Sequence, residues 1–172
     1  PKEGRSGRLL FVTVRHDHYG EDGLAVSENH DIVYREAADP NAPKTAPKPQ
    51  PAPGTAVWRT AVHPDSRLLF RFSALMFSAA RIHFDHTYAI ETEGYPDLLV
   101  NARIAVIALL DLCAEERPGK ALTSFTYRCV SPLYCNRPFT AEGEPADDGA
   151  SVKLWALDDK GGLSLGANAT FA

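Results

Sequence analysis

"DLLVNARIAVIALLDLC", residues 97–113, decides how the rest of the chain is read. Its apolar residues cover almost every side of a helical wheel, which predicts a helix buried on most of its surface. Asp97, just past Gly94-Tyr95-Pro96, is its expected cap. Asn101, Arg103 and Asp111 interrupt the apolar run, so it does not read as a membrane span. The chain beyond the helix is β-like. Residues 121–130, "ALTSFTYRCV", alternate around Phe125, Tyr127 and Cys129. Residues 151–157 lead into the turn Asp158-Asp159-Lys160-Gly161-Gly162. In "LSLGANATF", residues 163–171, one face carries Leu163, Leu165, Ala167, Ala169 and Phe171. One long buried helix ahead of an antiparallel meander predicts an α+β fold in which a sheet wraps a central helix.

Upstream of the helix, residues 56–62 read as a strand carrying Trp58, and residues 68–93 start apolar and end polar. Six prolines within residues 39–54 mark a polyproline-biased linker. At the N-terminus, "LLFVTV" (9–14) and "LAVSENHDIVYRE" (24–36) form a hairpin, which buries too little apolar surface to stand alone and must dock elsewhere. The expected organisation is a hairpin over 1–38, a linker over 39–55 and a main domain over 56–172.

Composition narrows the function. With 172 residues, 44% hydrophobic and 23% charged, the chain has the make-up of one soluble globular domain. A net charge of −4 argues against a nucleic-acid surface, and the basic clusters at 2–8 and 67–71 are too small to reverse that. Three cysteines without a C-x-x-C give neither a disulfide framework nor a zinc signature. Reduced thiols and the lack of a signal-peptide pattern point to the cytoplasm. His16 and His18 read as a solvated strand end, Trp58 and Trp155 as core aromatics, and Cys129 and Cys135 as passive thiols.

The densest polar cluster is Arg81-Ile82-His83-Phe84-Asp85-His86. Its H-x-D-H pattern lacks a third ligand of suitable spacing, so no metal is assigned. Taken with Leu69-Phe70-Arg71-Phe72-Ser73-Ala74-Leu75 and Glu93-Gly94-Tyr95-Pro96, the cluster resembles the MaoC-like, hot-dog-fold hydratase/dehydratase family. The branch it is most similar to holds type 2 3-hydroxyacyl-thioester dehydratases and mesaconyl- or itaconyl-CoA hydratases. The resemblance implies a complete hot-dog unit over 56–172 and the closing strands of a partial one at the N-terminus. It implies an enzyme, a hydro-lyase that adds or removes water across the double bond of an acyl-CoA or acyl-carrier-protein thioester, without a cofactor. It also implies a homodimer or pairing with another hot-dog unit, and no membrane partner.

Site residues come from the same resemblance. His83 matches the family's catalytic histidine, whose ordinary pKa suits proton exchange with water. Ser78 stands where the family has an acid or amide that holds the water; Asp85 and His86 either orient His83 or simply face solvent. At the start of the central helix, Asn101-Ala102-Arg103-Ile104 replaces the family's His-Gly-Pro-Leu. The Ala102 N–H is the implied clamp on the thioester carbonyl, with Asn101, Arg103, Tyr95 and Arg81 beside the substrate. Ser78, Ala80 and Ala102 leave two readings open: a divergent active site, or an acyl-thioester-binding subunit without catalysis. A hot-dog thioesterase is a third, weaker reading.

Overall fold

The computed structural model describes residues 2–4, 7–35 and 48–172, which fall into two compact units divided between Ala46 and Pro47. Most of the proline-rich linker, residues 39–47, lies outside the described residues.

The first unit is a three-stranded antiparallel sheet of β1 (Lys2–Gly4), β2 (Gly7–Gly20) and β3 (Gly23–Arg35), in that order. The β2–β3 hairpin is longer than its apolar core implied, because "RHDHYG" continues the strand instead of ending it. Polar cross-strand partners hold that extension: Thr13 donates to Asp31 and Ser27 to Asp17, each at 2.6 Å. Gly23, at φ 111°, makes the tight turn that an L-residue resists. Leu10, Phe11, Val33 and Tyr34 remain about half exposed.

The second unit is a five-stranded antiparallel sheet in the order β4-β6-β7-β8-β5. Its strands are β4 (Trp58–Val62), β5 (Leu122–Cys129), β6 (Phe139–Pro145), β7 (Ser151–Leu157) and β8 (Leu163–Phe171). Two helices, α1 (Ser66–Leu75) and α2 (Ala102–Glu116), complete it, and α2 lies against β4, β6 and β7. Ile104, Ala105, Leu109, Leu112 and Cys113 bury one face of α2, while Ile107 stays 45% exposed, so the helix is less enclosed than its composition implied. Leu163, Leu165, Ala167 and Ala169 of β8 are buried as expected, Phe171 is partly buried, and Ser164 on the opposite face is buried as well.

Two local expectations need correction. The helix starts at Ala102 with Asn101 as cap, not at Asp97. Residues 98–100 are held extended against 133–135, with Val100 N–H donating to Leu133 O and Cys135 N–H to Leu98 O, both at 2.9 Å. An amide used in that ladder is not free to start a helix. Asp97 instead accepts from the Leu98 N–H at 2.7 Å.

The second correction is β6, a strand between β4 and β7 that sequence reading passes over. Its "FTAEGEP" carries a charge, a glycine and a proline, all poor strand signals. Packing reverses each objection. Glu142 is buried at 2% exposure, yet it accepts from Trp155 Nε1 at 2.7 Å and Thr140 Oγ1 at 3.0 Å and pairs with Arg59 at 2.9 Å. A Cβ at Gly143 would lie 2.9 Å from the Trp58 ring, so only glycine fits under that indole. Pro145 ends the strand.

Candidate functional site

His83 closes a single 3₁₀ turn, Arg81–His83. Leu99 grips this turn with both of its main-chain groups: its N–H donates to Ile82 O at 2.9 Å, and its carbonyl accepts from His83 Nδ1 at 2.9 Å. A carbonyl oxygen can only accept, so the bond puts the hydrogen on Nδ1 and leaves Nε2 of the neutral ring as a bare acceptor. That is the protonation pattern of a general base.

Two residues beyond Leu99, Asn101 turns the chain into α2 with φ −63° and ψ 127°. Its Oδ1 accepts from Arg103 N–H at 3.1 Å and its carbonyl from Ile104 N–H at 2.9 Å. The Ala102 N–H, first amide of the helix, has no acceptor among the described residues. Such an amide, at the positive end of the helix dipole, is a ready donor for a developing anion.

His83 and Ala102 line the same cavity of about 440 Å³, a size suited to a small ligand. Leu99, Val100, Asn101 and Ala105 complete the helix side, Cys129 to Leu133 form the facing loop, and Ser164 and Leu165 contribute from β8. No lysine, arginine or carboxylate is among these lining residues. The two serines cross-link the wall: Ser131 Oγ donates to Leu163 O at 2.7 Å and Ser164 Oγ to Ser131 O at 2.6 Å.

Several residues singled out in the sequence lie off this cavity. Ser78 N–H donates to Ser73 O at 2.9 Å, behind Phe77 at φ 48°. Asp85 is occupied by Arg81, at 2.7 Å, and by the Tyr88 N–H, at 3.0 Å. Those two contacts, the amide first, hold its carboxyl below the usual value. The Arg81 guanidinium also stands 4.1 Å over the Tyr88 ring, whose hydroxyl donates to Glu93 at 2.8 Å. The Glu93 carboxylate raises the Tyr88 phenol. These contacts brace the loop that presents His83. His86 turns away toward Asp97, 3.8 Å distant. Tyr95 N–H donates to Ala89 O at 2.9 Å and Gly94, at φ 73°, ends the π-helical turn Tyr88–Thr92. Glu93-Gly94-Tyr95-Pro96 therefore works here as punctuation. Sequence reading missed the Leu99 carbonyl, Ser131 and Ser164, none of which has a residue-type signal, and left Cys129 as a passive thiol.

A histidine on a polar turn and a free helix-terminal amide line one cavity, carried on a sheet packed around a helix in the hot-dog arrangement. Comparison with known proteins agrees. The model of the hydroxyacyl-thioester dehydratase type 2 family matches residues 2–135, and the chain belongs to that family. It is 42% identical over 168 residues to a mesaconyl-C(4)-CoA hydratase of Chloroflexus aurantiacus, covering 96% of this chain and 58% of that protein. It is 30% identical over 117 residues to the mitochondrial hydroxyacyl-thioester dehydratase type 2 of Schizosaccharomyces pombe, covering 67% of this chain and 38% of that one. The chain thus spans about half the length of the curated relatives it matches. Among solved structures, HtdX of Mycobacterium tuberculosis shares the fold with a TM-score of 0.71 at 18% identity, over 98% of this chain and 64% of that one.

Proposed function

We propose that this chain carries the reactive site of an acyl-thioester hydratase/dehydratase, interconverting enoyl and 3-hydroxyacyl thioesters. The observation that carries this reading is that His83, its Nδ1 held by Leu99 O, lines the same cavity as Ala102, the residue with the free helix-terminal N–H. In hydration, the oxygen of a water bonds to C3 while His83 Nε2 takes one of its protons. The C2=C3 π pair moves through C2–C1 onto the thioester oxygen, which the Ala102 N–H stabilises. The imidazolium then returns its proton to C2 as the enolate collapses, so one water is added and no proton is left over. This chemistry draws on no cofactor. The name of the Chloroflexus relative favours a CoA ester over a carrier-protein thioester.

A non-catalytic, acyl-thioester-binding role is the second reading, and the position of Ser78 outside the cavity lining favours it. The two separate on one assay: hydration of crotonyl-CoA by the protein and by its His83→Ala variant. A rate loss of about 100-fold or more supports His83 as the base. Equal rates in the two proteins sink it, and binding without turnover in both establishes the second reading.

The N-terminal sheet is, on this proposal, the closing part of an incomplete first hot-dog unit. Its half-exposed apolar residues and the β5 edge strand call for pairing with a second copy or another hot-dog unit. Three free thiols fit a reducing cytoplasm. Among the described residues, no helix is long and apolar enough to cross a membrane.

A further inference from the structure

The two cavity serines have spent their hydrogens. Ser131 Oγ donates to Leu163 O and Ser164 Oγ to Ser131 O, at 2.7 and 2.6 Å, and both residues line the cavity beside His83. A hydroxyl has one hydrogen and two acceptor sites. With the hydrogen committed to the main chain, each serine oxygen has only lone pairs to offer a ligand. His83 Nε2 is likewise an acceptor, because Nδ1 holds the ring hydrogen against Leu99 O. A water placed between His83 and the serine pair donates one hydrogen to Nε2 and the other to a serine oxygen, and its own lone pairs stay free.

From this we infer that the Ser131–Ser164 pair is the second contact for the reacting water and the recognition site for the 3-hydroxyl of the acyl group. The inference rests on the hydratase reading and assigns residues that Ser78, outside the cavity, does not replace. His83 takes the hydrogen that leaves the water. The serine pair accepts the hydrogen that stays on oxygen, which becomes the O–H of the 3-hydroxyacyl product. In the reverse direction the same contact holds the departing hydroxyl. Because the wall only accepts at this point, it selects acyl groups that present a donor at C3.

The experiment is equilibrium binding, by calorimetry, of 3-hydroxybutyryl-CoA and butyryl-CoA to the His83→Ala protein. There turnover is suppressed and the serines are the remaining partners of the hydroxyl. The hydroxylated ester is expected to bind about five- to tenfold more tightly, as one hydrogen bond provides. Adding Ser131→Ala and Ser164→Ala removes that preference while butyryl-CoA binding stays within about twofold. Ser131→Cys with Ser164→Cys gives the same loss with nearly the same side-chain volume, should the alanine protein fail to fold, since a thiol is a poor acceptor. Equal binding of the two esters before the serines are changed overturns the inference. So does a preference that survives their removal, or parallel weakening of both esters. Dehydration of 3-hydroxybutyryl-CoA by His83→Ala at the wild-type rate sinks the hydratase reading instead, and is visible as turnover in the same cell.

Discussion

His83 Nδ1 and the carbonyl oxygen of Leu99 meet at 2.9 Å across sixteen positions of sequence. That contact sets the hydrogen of the neutral imidazole on Nδ1, and Leu99 is two residues from the cap of α2. The proposed base, His83, is held by Leu99 and the proposed carbonyl clamp is the Ala102 N–H, so a disturbance of segment 99–102 reaches both.

The clamp can be tested without removing a side chain of any chemistry. Ala102 is the first residue of α2, where proline is tolerated and its missing N–H costs no helical bond. Asn101, at φ −63° and ψ 127°, already has the conformation that proline requires of its predecessor. Ala102→Pro is expected to keep the melting temperature within a few degrees and to lower kcat about 100-fold or more. Unchanged kcat in a folded protein shows that the thioester oxygen is held elsewhere.

The buried carboxylate of β6 has a sharp signature. Glu142→Ala leaves the fully buried Trp155 N–H without an acceptor and is expected to cost about 2–4 kcal/mol in urea unfolding, with an unchanged m-value. Glu142→Gln keeps an acceptor for the indole and is expected to lose clearly less. An alanine variant as stable as the wild type means that the strand does not depend on this contact.

Acid sensitivity arises at the helix caps. Asp65 accepts from Leu68 N–H at 2.8 Å at the start of α1, and that amide, with Arg67, holds its carboxyl below the usual 3.8. The unfolded chain then binds the proton more readily, so this contribution is present above about pH 4 and disappears as pH falls through the lower folded value. Asp65→Ala should melt earlier than wild type at pH 7. The gap should close in melts taken toward pH 2, and a gap constant with pH contradicts the linkage.

Thiol labelling reads the cavity directly. Cys129 is exposed at the cavity wall, whereas Cys113 and Cys135 are buried and burial pushes the Cys113 thiol up to about 11. One cysteine of the three should react in the native protein, faster as pH rises because the thiolate is the reactive form. Crotonyl-CoA should slow that reaction. Labelling at Cys113 before Cys129 contradicts this packing.

Much of the fold was legible in advance, and the exceptions have physical causes. The period-2 pattern of residues 163–171 reads as β8 because its apolar residues recur at every second position. The RIHFD turn reads through its family resemblance. β6 is illegible because Glu142 and Gly143 are poor strand residues unless Trp155 and Trp58 lie across from them. The start of α2 is misplaced because Asp97 and Asn101 are equally good caps by type.

The sequence by itself determined that an apolar helix would be enclosed by an antiparallel sheet, and that His83 would sit on a polar turn ahead of it. Hydrophobic periodicity and residue chemistry are local, and they suffice for that much. Only the tertiary structure decided which atoms share the cavity. Main-chain pairing of 98–100 with 133–135 moved the helix start to Ala102, and the Leu99 carbonyl fixed the ring hydrogen of neutral His83 on Nδ1. Directional hydrogen bonds between residues distant in sequence make those choices, and no single residue type announces them.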